Sequence, residues 1–240
     1  MDGIIHSFES LAAVDGEGLR YSVFLAGCPI RCAYCHNPDT WDMMGKKITP
    51  EELVKKIGRY KVYFGNNGGV TFSGGEPLLQ AQFLKSCVPL LRDAGIPYVL
   101  DTSGQVELTE DVQFLLKNAQ DVLLDLKFPS NDDYLTYTGG SLNKTLSMLV
   151  YLEKIGKPTV LRTVIVQGIN DSTDYLDLYL EKIREFTCIK KYELLPFHTM
   201  GFFKYEKLGI KNPFAEKTAF AKEKLTELQL YVNNKIKKEG

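Results

Sequence analysis

An apolar run, a polar turn and an amphipathic helix follow one another again and again along this chain, and that alternation restricts the fold to parallel strands joined by helical crossovers. The strands are expected at RYSVFLA (20–26), GVTFS (69–73), YVLDT (98–102), DVLLDLK (121–127), TVLRTVIV (159–166) and KYELLP (191–196). Helices are expected from Thr49 and over 77–94, 109–118, 141–155, 173–187 and 214–236. Thr49-Pro50-Glu51-Glu52 joins an N-cap hydroxyl, a proline at the first helical position and a capping-box carboxylate. Six such units imply an α/β fold in the form of an incomplete barrel. No linker or low-complexity stretch interrupts residues 1–240, so a single domain is expected.

Polar residues gather where the strands finish, the end at which barrels carry their chemistry. Cys28 follows the first strand, Ser73-Gly74-Gly75-Glu76 the second and Asp101-Thr102-Ser103-Gly104 the third. Asp125 and Lys127 close the fourth, Arg162 interrupts the apolar fifth, and His198 follows the sixth.

The segment GCPIRCAYCHN at 27–37 holds three of the chain's five cysteines. Its CAYCH portion has the form of a c-type haem attachment site, but that reading leaves Cys28 unused and belongs to exported proteins. A structural zinc normally takes four protein ligands, and the fourth here would have to be His36 or a distant residue. A [4Fe–4S] cluster held by three thiolates leaves one iron open for substrate, and iron–sulfur potentials reach down to about −700 mV.

The three-then-two spacing of Cys28, Cys32 and Cys35, with Tyr34 between the last two, resembles the radical S-adenosylmethionine superfamily, and Gly74-Gly75-Glu76-Pro77 resembles its GGE motif. YCHNPDTW, TFSGGEPLLQ, LDTSG, LLDLK and ELLPFHTMG together resemble the family that activates glycyl-radical enzymes. The resemblance implies a partial (β/α)6 barrel of the radical S-adenosylmethionine type. It implies a [4Fe–4S] cluster on Cys28, Cys32 and Cys35, S-adenosyl-L-methionine as cofactor, and removal of hydrogen from a backbone glycine of pyruvate formate-lyase. By the same resemblance Tyr34, Cys35 and His36 line the adenosyl site, Gly75 receives the methionyl group through backbone contacts, and Glu76, with Asp125, is a partner for an ammonium or hydroxyls. Asp125, Leu126 and Lys127 fix methionine and ribose, with Arg162 and His198 as further partners. Asp101 and Thr102 resemble a monovalent-cation site, and flavodoxin is the implied electron donor in anaerobic glucose metabolism. Larger relatives carry extra cysteines between the cluster loop and the GGE motif, and none stands there in this chain.

Structural readings stand beside these. Glu76 could cap the following helix, Gly74 and Gly75 could form a turn, and Asp125 with Lys127, alternating on one face, could be an ion pair. Arg162 and His198 taken singly suit structural roles, and Cys87 and Cys188 read as buried small hydrophobes. Lys and Arg number 29 against 30 Asp and Glu, which excludes a field covering the whole surface that would favour nucleic acid or an anionic membrane. With no leader pattern and no run long enough to span a bilayer, a cytoplasmic location is expected. Two other functions remain open at this point: a radical enzyme acting on a small molecule, as in deazaguanine formation, and a non-catalytic metal or electron-transfer protein.

Overall fold

The computed structural model describes residues 1–13 and 15–239, the last three by their backbone alone. The chain forms two compact units, Met1–Pro29 with Thr40–Leu124, and Ile30–Asp39 with Asp125–Gly240.

The first unit is a sheet in the order β3-β1-β2-β4-β5-β6. Its strands are β1 (Gly3–Ala12), β2 (Arg20–Leu25), β3 (Lys46–Ile48), β4 (Gly69–Gly74), β5 (Tyr98–Thr102) and β6 (Asp121–Asp125), the last reaching the second unit at Asp125. β1 is antiparallel to β2 and β3, and β2, β4, β5 and β6 run parallel. Parallel strands are covered on both faces and therefore read as unbroken apolar runs; Val23, Leu25, Val70, Phe72, Val99, Leu100, Val122 and Leu124 are all fully buried. Register carries the strand ends level, Phe24 opposite Ser73, Leu25 opposite Gly74 and Thr102 opposite Leu124. Helices α1 (Pro50–Gly58), α2 (Ala81–Asp93) and α3 (Glu110–Asn118) cross between them. The expected capping box is present at α1, with Thr49 Oγ1 accepting from the Glu52 amide and Glu52 Oε2 from the Thr49 amide, each at 3.2 Å. At the start of β2, Arg20 is wholly buried and donates to Thr71 Oγ1 and to the Val70, Asn67 and Glu17 carbonyls. Burial lowers its guanidinium to about 10.

The second unit contains α4 (Asn131–Thr138), α5 (Leu142–Lys154), β7 (Thr159–Ile165), α6 (Thr173–Ile183), β8 (Ile189–Pro196), α7 (Phe202–Leu208) and α8 (Lys222–Glu239). β7 and β8 pair in parallel from Thr159–Ile189 to Ile165–Pro196. Just past β6, the Leu126 amide donates to the Arg162 carbonyl at 2.9 Å. The outer edge of β8 is occupied by a side chain of α8: Gln229 Oε1 accepts from the Leu194 amide at 2.8 Å, and its Nε2 donates to the Tyr192 carbonyl at 2.9 Å. Four rings, Tyr34, Phe128, Tyr137 and Phe214, close a circle with centroids 4.9–6.4 Å apart.

All six expected strands are present. β1, β3, α4 and α7 were not expected, and α8 starts at Lys222 rather than 214. In the segment before it, residues 213–216 form a turn closed by the Lys217 amide on the Phe214 carbonyl, Phe214 and Phe220 are buried as anchors, and the Phe220 amide bonds to the Phe197 carbonyl. The helix expected over 77–94 opens as a 3-10 turn at Pro77–Gln80, and that expected over 173–187 ends at Ile183.

Candidate active site

In the first unit the chain leaves β2 through Gly27 and Cys28, whose amides bond to the Thr40 and Trp41 carbonyls at 2.8 and 3.0 Å. Beyond β4, the Gly75 amide bonds to the Leu25 carbonyl and the Glu76 amide to the Gly27 carbonyl, so the turn leaving β4 is tied to the chain leaving β2. The approach is so close that a Cβ on Gly75 would fall 2.1 Å from the Gly27 oxygen, and Gly74 has φ +117°. Only glycine suits either position.

Glu76 has no exposed surface. Its Oε1 accepts from Thr102 Oγ1 at 2.7 Å and the Leu78 amide at 3.2 Å, and Oε2 accepts from the Ser103 amide at 2.9 Å and Ser103 Oγ at 2.6 Å. Burial pushes this carboxyl above the usual range, against the pull of its four donors. Glu76 thus both caps the turn that follows it and fixes the loop leaving β5. Beside that loop, Ser73 Oγ donates to Asp101 Oδ2 at 2.7 Å.

In the second unit Cys32 and Cys35 lie on a segment bonded on both limbs. The Arg31 and Ala33 amides donate to the Thr138 and Tyr137 carbonyls, each at 2.8 Å. Helices leave their last carbonyls without internal partners, and the C-terminus of α4 uses two of them here; Gly139, at φ +66°, ends the helix. A bond from the Cys35 amide to the Cys32 carbonyl closes the turn between the thiols at 3.0 Å. Past Cys35, His36 stacks on His198 with centroids 3.4 Å apart. His36 Nε2 lies 3.1 Å from the His198 carbonyl, which can only accept, so Nε2 carries the proton. Burial, with the nearby His198, Lys127 and Lys204, lowers the His36 imidazole to about 4.

Asp125, Leu126, Lys127 and Arg162 form one group in this unit. Asp125 Oδ1 accepts from Arg162 Nε and Nη2 at 3.1 and 3.0 Å, and Oδ2 accepts from Lys127 Nζ at 3.1 Å. Burial would raise the Asp125 carboxyl, but its two cations outweigh that and hold it below the ordinary carboxylate value. Lys127 is held well above its usual value, since Asp125 outweighs the cost of burial. Lys127 Nζ also lies 5.9 Å from the centre of the Tyr34 ring. Leu126 is wholly buried, and its carbonyl accepts from Thr163 Oγ1 at 2.7 Å.

Three side-chain polar atoms of this unit are buried without a hydrogen-bond partner among the described residues: Tyr151 Oη on α5 and, on the thiol segment and just after β8, Tyr34 Oη and His198 Nδ1. Such atoms are costly unless a ligand completes them. Together with the thiols and the fixed charges of Asp125, Lys127 and Arg162, the last two fit a polar, charged cofactor. Among the described residues no three His, Cys, Asp or Glu side chains are grouped as a single metal ion would require.

Three residues near this machinery escaped the sequence reading. Lys204 and Tyr205 of α7 bond to the segment after Cys35, and Asn170, wholly buried, bonds to the Val166 amide and the Val164 carbonyl at the end of β7. The available signals were Gly201 and Gly209 bracketing a short helical stretch, and a polar Gly-Ile-Asn-Asp directly after an apolar strand.

Residues 14–147 match the 4Fe-4S single cluster domain family. A pyruvate formate-lyase-activating enzyme of Clostridium pasteurianum is 43% identical over 232 residues, 96% of this chain and 97% of that one. Those of Streptococcus mutans and Staphylococcus aureus are 38% and 39% identical, over 88% and 99% of this chain and 83% and 98% of theirs. Among solved structures, Streptococcus suis SuiB bound to precursor peptide SuiA superposes with TM-score 0.63 at 16% identity, covering 88% of this chain and 44% of SuiB. A radical SAM methyltransferase of Sphaerobacter thermophilus gives TM-score 0.62 at 16% identity, over 90% of this chain and 64% of that one. A domain of a pyruvate-formate lyase-activating enzyme from Bacteroides vulgatus gives 0.56 at 20% identity, over 70% and 94%. The fold is therefore the α/β, partial-barrel fold of radical S-adenosylmethionine enzymes.

Proposed function

Because the chain belongs to the family of pyruvate formate-lyase-activating enzymes, we propose that it activates pyruvate formate-lyase by abstracting hydrogen from a backbone glycine, leaving a glycyl radical. The observation that carries the reading is the thiol triplet Cys28, Cys32 and Cys35 in a chain that matches these enzymes over nearly its whole length. Those thiols would hold a [4Fe–4S] cluster, which with S-adenosylmethionine would supply a 5′-deoxyadenosyl radical. Such a radical is too reactive to be released and must form beside its target, so the chain's own residues have to orient the cofactor and exclude competing reactions.

Lys127 and Arg162 offer fixed positive charge for a carboxylate, and Asp125 offers acceptors for an ammonium or hydroxyls. Tyr34 Oη and His198 Nδ1 offer hydrogen bonds that the protein itself leaves unmade. Gly75 brings a backbone without a side chain, which suits contacts to the methionyl group, and Glu76 acts by holding the Thr102–Ser103 loop. Asp101 and Thr102 form the candidate site for a monovalent cation, flavodoxin is the proposed electron donor, and the cytoplasm the proposed location. No helix among the described residues is long and apolar enough to cross a membrane.

The test is anaerobic, iron-reconstituted protein with S-adenosylmethionine, a reductant and pyruvate formate-lyase deuterated at the glycine α-carbon. The expected result is a glycyl radical by electron paramagnetic resonance and deuterium in the 5′-deoxyadenosine formed. Unlabelled 5′-deoxyadenosine without a protein radical overturns the assignment and points to a small-molecule substrate.

A further inference from the structure

The helix α7 touches the thiol segment at three successive places, all within the second unit. Tyr205 Oη donates to the Cys35 carbonyl at 3.0 Å. Lys204 Nζ donates to Asn37 Oδ1 at 2.7 Å and Asp39 Oδ1 at 3.0 Å, bridging two side chains of the outgoing limb. Gly201, just before the helix, packs so closely on His36 that a Cβ there would sit 2.5 Å from the His36 oxygen. The incoming limb is held separately, through Arg31 and Ala33, by the C-terminal carbonyls of α4.

These contacts do not resemble incidental surface pairs. Tyr205 is 2% exposed, and the Lys204 and Asp39 side chains only 21% and 25%. A lysine with two oxygen acceptors on residues 37 and 39 fixes the bend between them, which one salt bridge would not. A phenol directed at the carbonyl of a thiol-bearing residue fixes the peptide plane next to that thiol.

We propose that α7 is a clasp on the thiol loop, with Lys204 and Tyr205 as positioning residues that hold Cys35 and the outgoing limb in the arrangement a cluster requires. The proposal rests on the assignment of Cys28, Cys32 and Cys35 as cluster ligands. A loop arranged in advance loses less conformational freedom when it binds, and its ligands recapture a departing iron more readily. Loss of either contact should therefore speed the escape of iron without unfolding the protein.

The experiment compares wild type with Tyr205→Phe, which keeps the buried ring and removes only the donor, and with Lys204→Ala and Lys204→Arg. Lys207→Ala is the control, because that side chain lies over the Phe203 ring of the same helix. Each full-length protein is reconstituted anaerobically. Iron loss to a chelator, the resonance spectrum of the reduced cluster and the melting temperature of the iron-free protein are then measured. Tyr205→Phe and Lys204→Ala should lose iron about three to ten times faster, the range expected for one or two net hydrogen bonds. Their spectra should be altered, while the iron-free proteins melt near wild type. Lys204→Arg, which keeps the positive charge and can still donate to two oxygens, should recover most of the rate, and Lys207→Ala should match wild type. Wild-type rates and spectra in Tyr205→Phe and Lys204→Ala overturn the clasp, as does faster loss accompanied by an equal fall in the iron-free melting temperature. A wild-type protein that takes up no iron and sulfide overturns the underlying cluster assignment instead, so the two failures are distinct.

Discussion

Asp125 holds two cations whose side chains are only 12% and 10% exposed, so its removal takes an ion-pair partner from both Lys127 and Arg162. Asp125→Ala should lower stability by about 3 kcal/mol and weaken S-adenosylmethionine binding; calorimetric titration of the folded protein that shows unchanged affinity would reduce the pair to a structural role. The pH dependence has a definite sign. The folded carboxyl lies below its ordinary 3.8, so its stabilisation is complete above that value and is lost as pH falls through the depressed one. Urea unfolding of wild type and Asp125→Ala should therefore converge on acidification. Glu76 differs because its oxygens meet four donors, and Glu76→Gln turns an amide NH2 towards some of them. A cost of roughly 2 kcal/mol is expected, again read from urea unfolding. The sequence made Asp125 and Lys127 legible because their two-residue spacing reads as one face of a strand, and the two do pair although β6 ends at Asp125. It could not show that Glu76 serves Thr102 and Ser103, since those partners are 26 and 27 residues away and nothing local points to them.

At the level of elements, β8 carries an exposed-edge problem that Gln229 answers with a side-chain amide in place of a neighbouring strand. Gln229→Leu should strip partners from the Leu194 amide and the Tyr192 carbonyl. The expected loss is about 1–3 kcal/mol, with concentration-dependent association by size exclusion as the freed edge finds another chain. Five of the parallel strands were legible because burial on both faces writes them as apolar runs, and β8, where only Tyr192 and Leu194 are buried, was legible from a shorter apolar stretch after a helix. α4 was not: NDDYLTYT is poor in strong helix formers, and the helix depends on the Ser130 cap and the left-handed Gly139. α7 is seven residues long, too short to show a full periodic pattern, and its purpose lies in contacts to residues 35, 37 and 39.

For the molecule as a whole, the five cysteines fall into two chemical classes. Burial pushes the Cys87 thiol up to about 12 and the Cys188 thiol to about 11, which makes both poor metal ligands. Replacing Cys28, Cys32 or Cys35 with Ala should abolish iron and sulfide uptake and turnover, whereas Cys87→Ala and Cys188→Ala should keep both. Metal and sulfide analysis of anaerobically prepared protein decides this. The spacing of the first three thiols was readable at once, but their support was not, because Tyr205 lies 170 positions beyond Cys35. That separation has a consequence during synthesis. Ribosomes add about 5–20 residues per second, so roughly ten to thirty seconds pass between the emergence of Cys35 and that of the tyrosine that bonds to it. Through that interval the nascent chain displays its three thiols on a segment that lacks the Tyr205 contact, and the proposed clasp predicts that iron is held firmly only after α7 has been made.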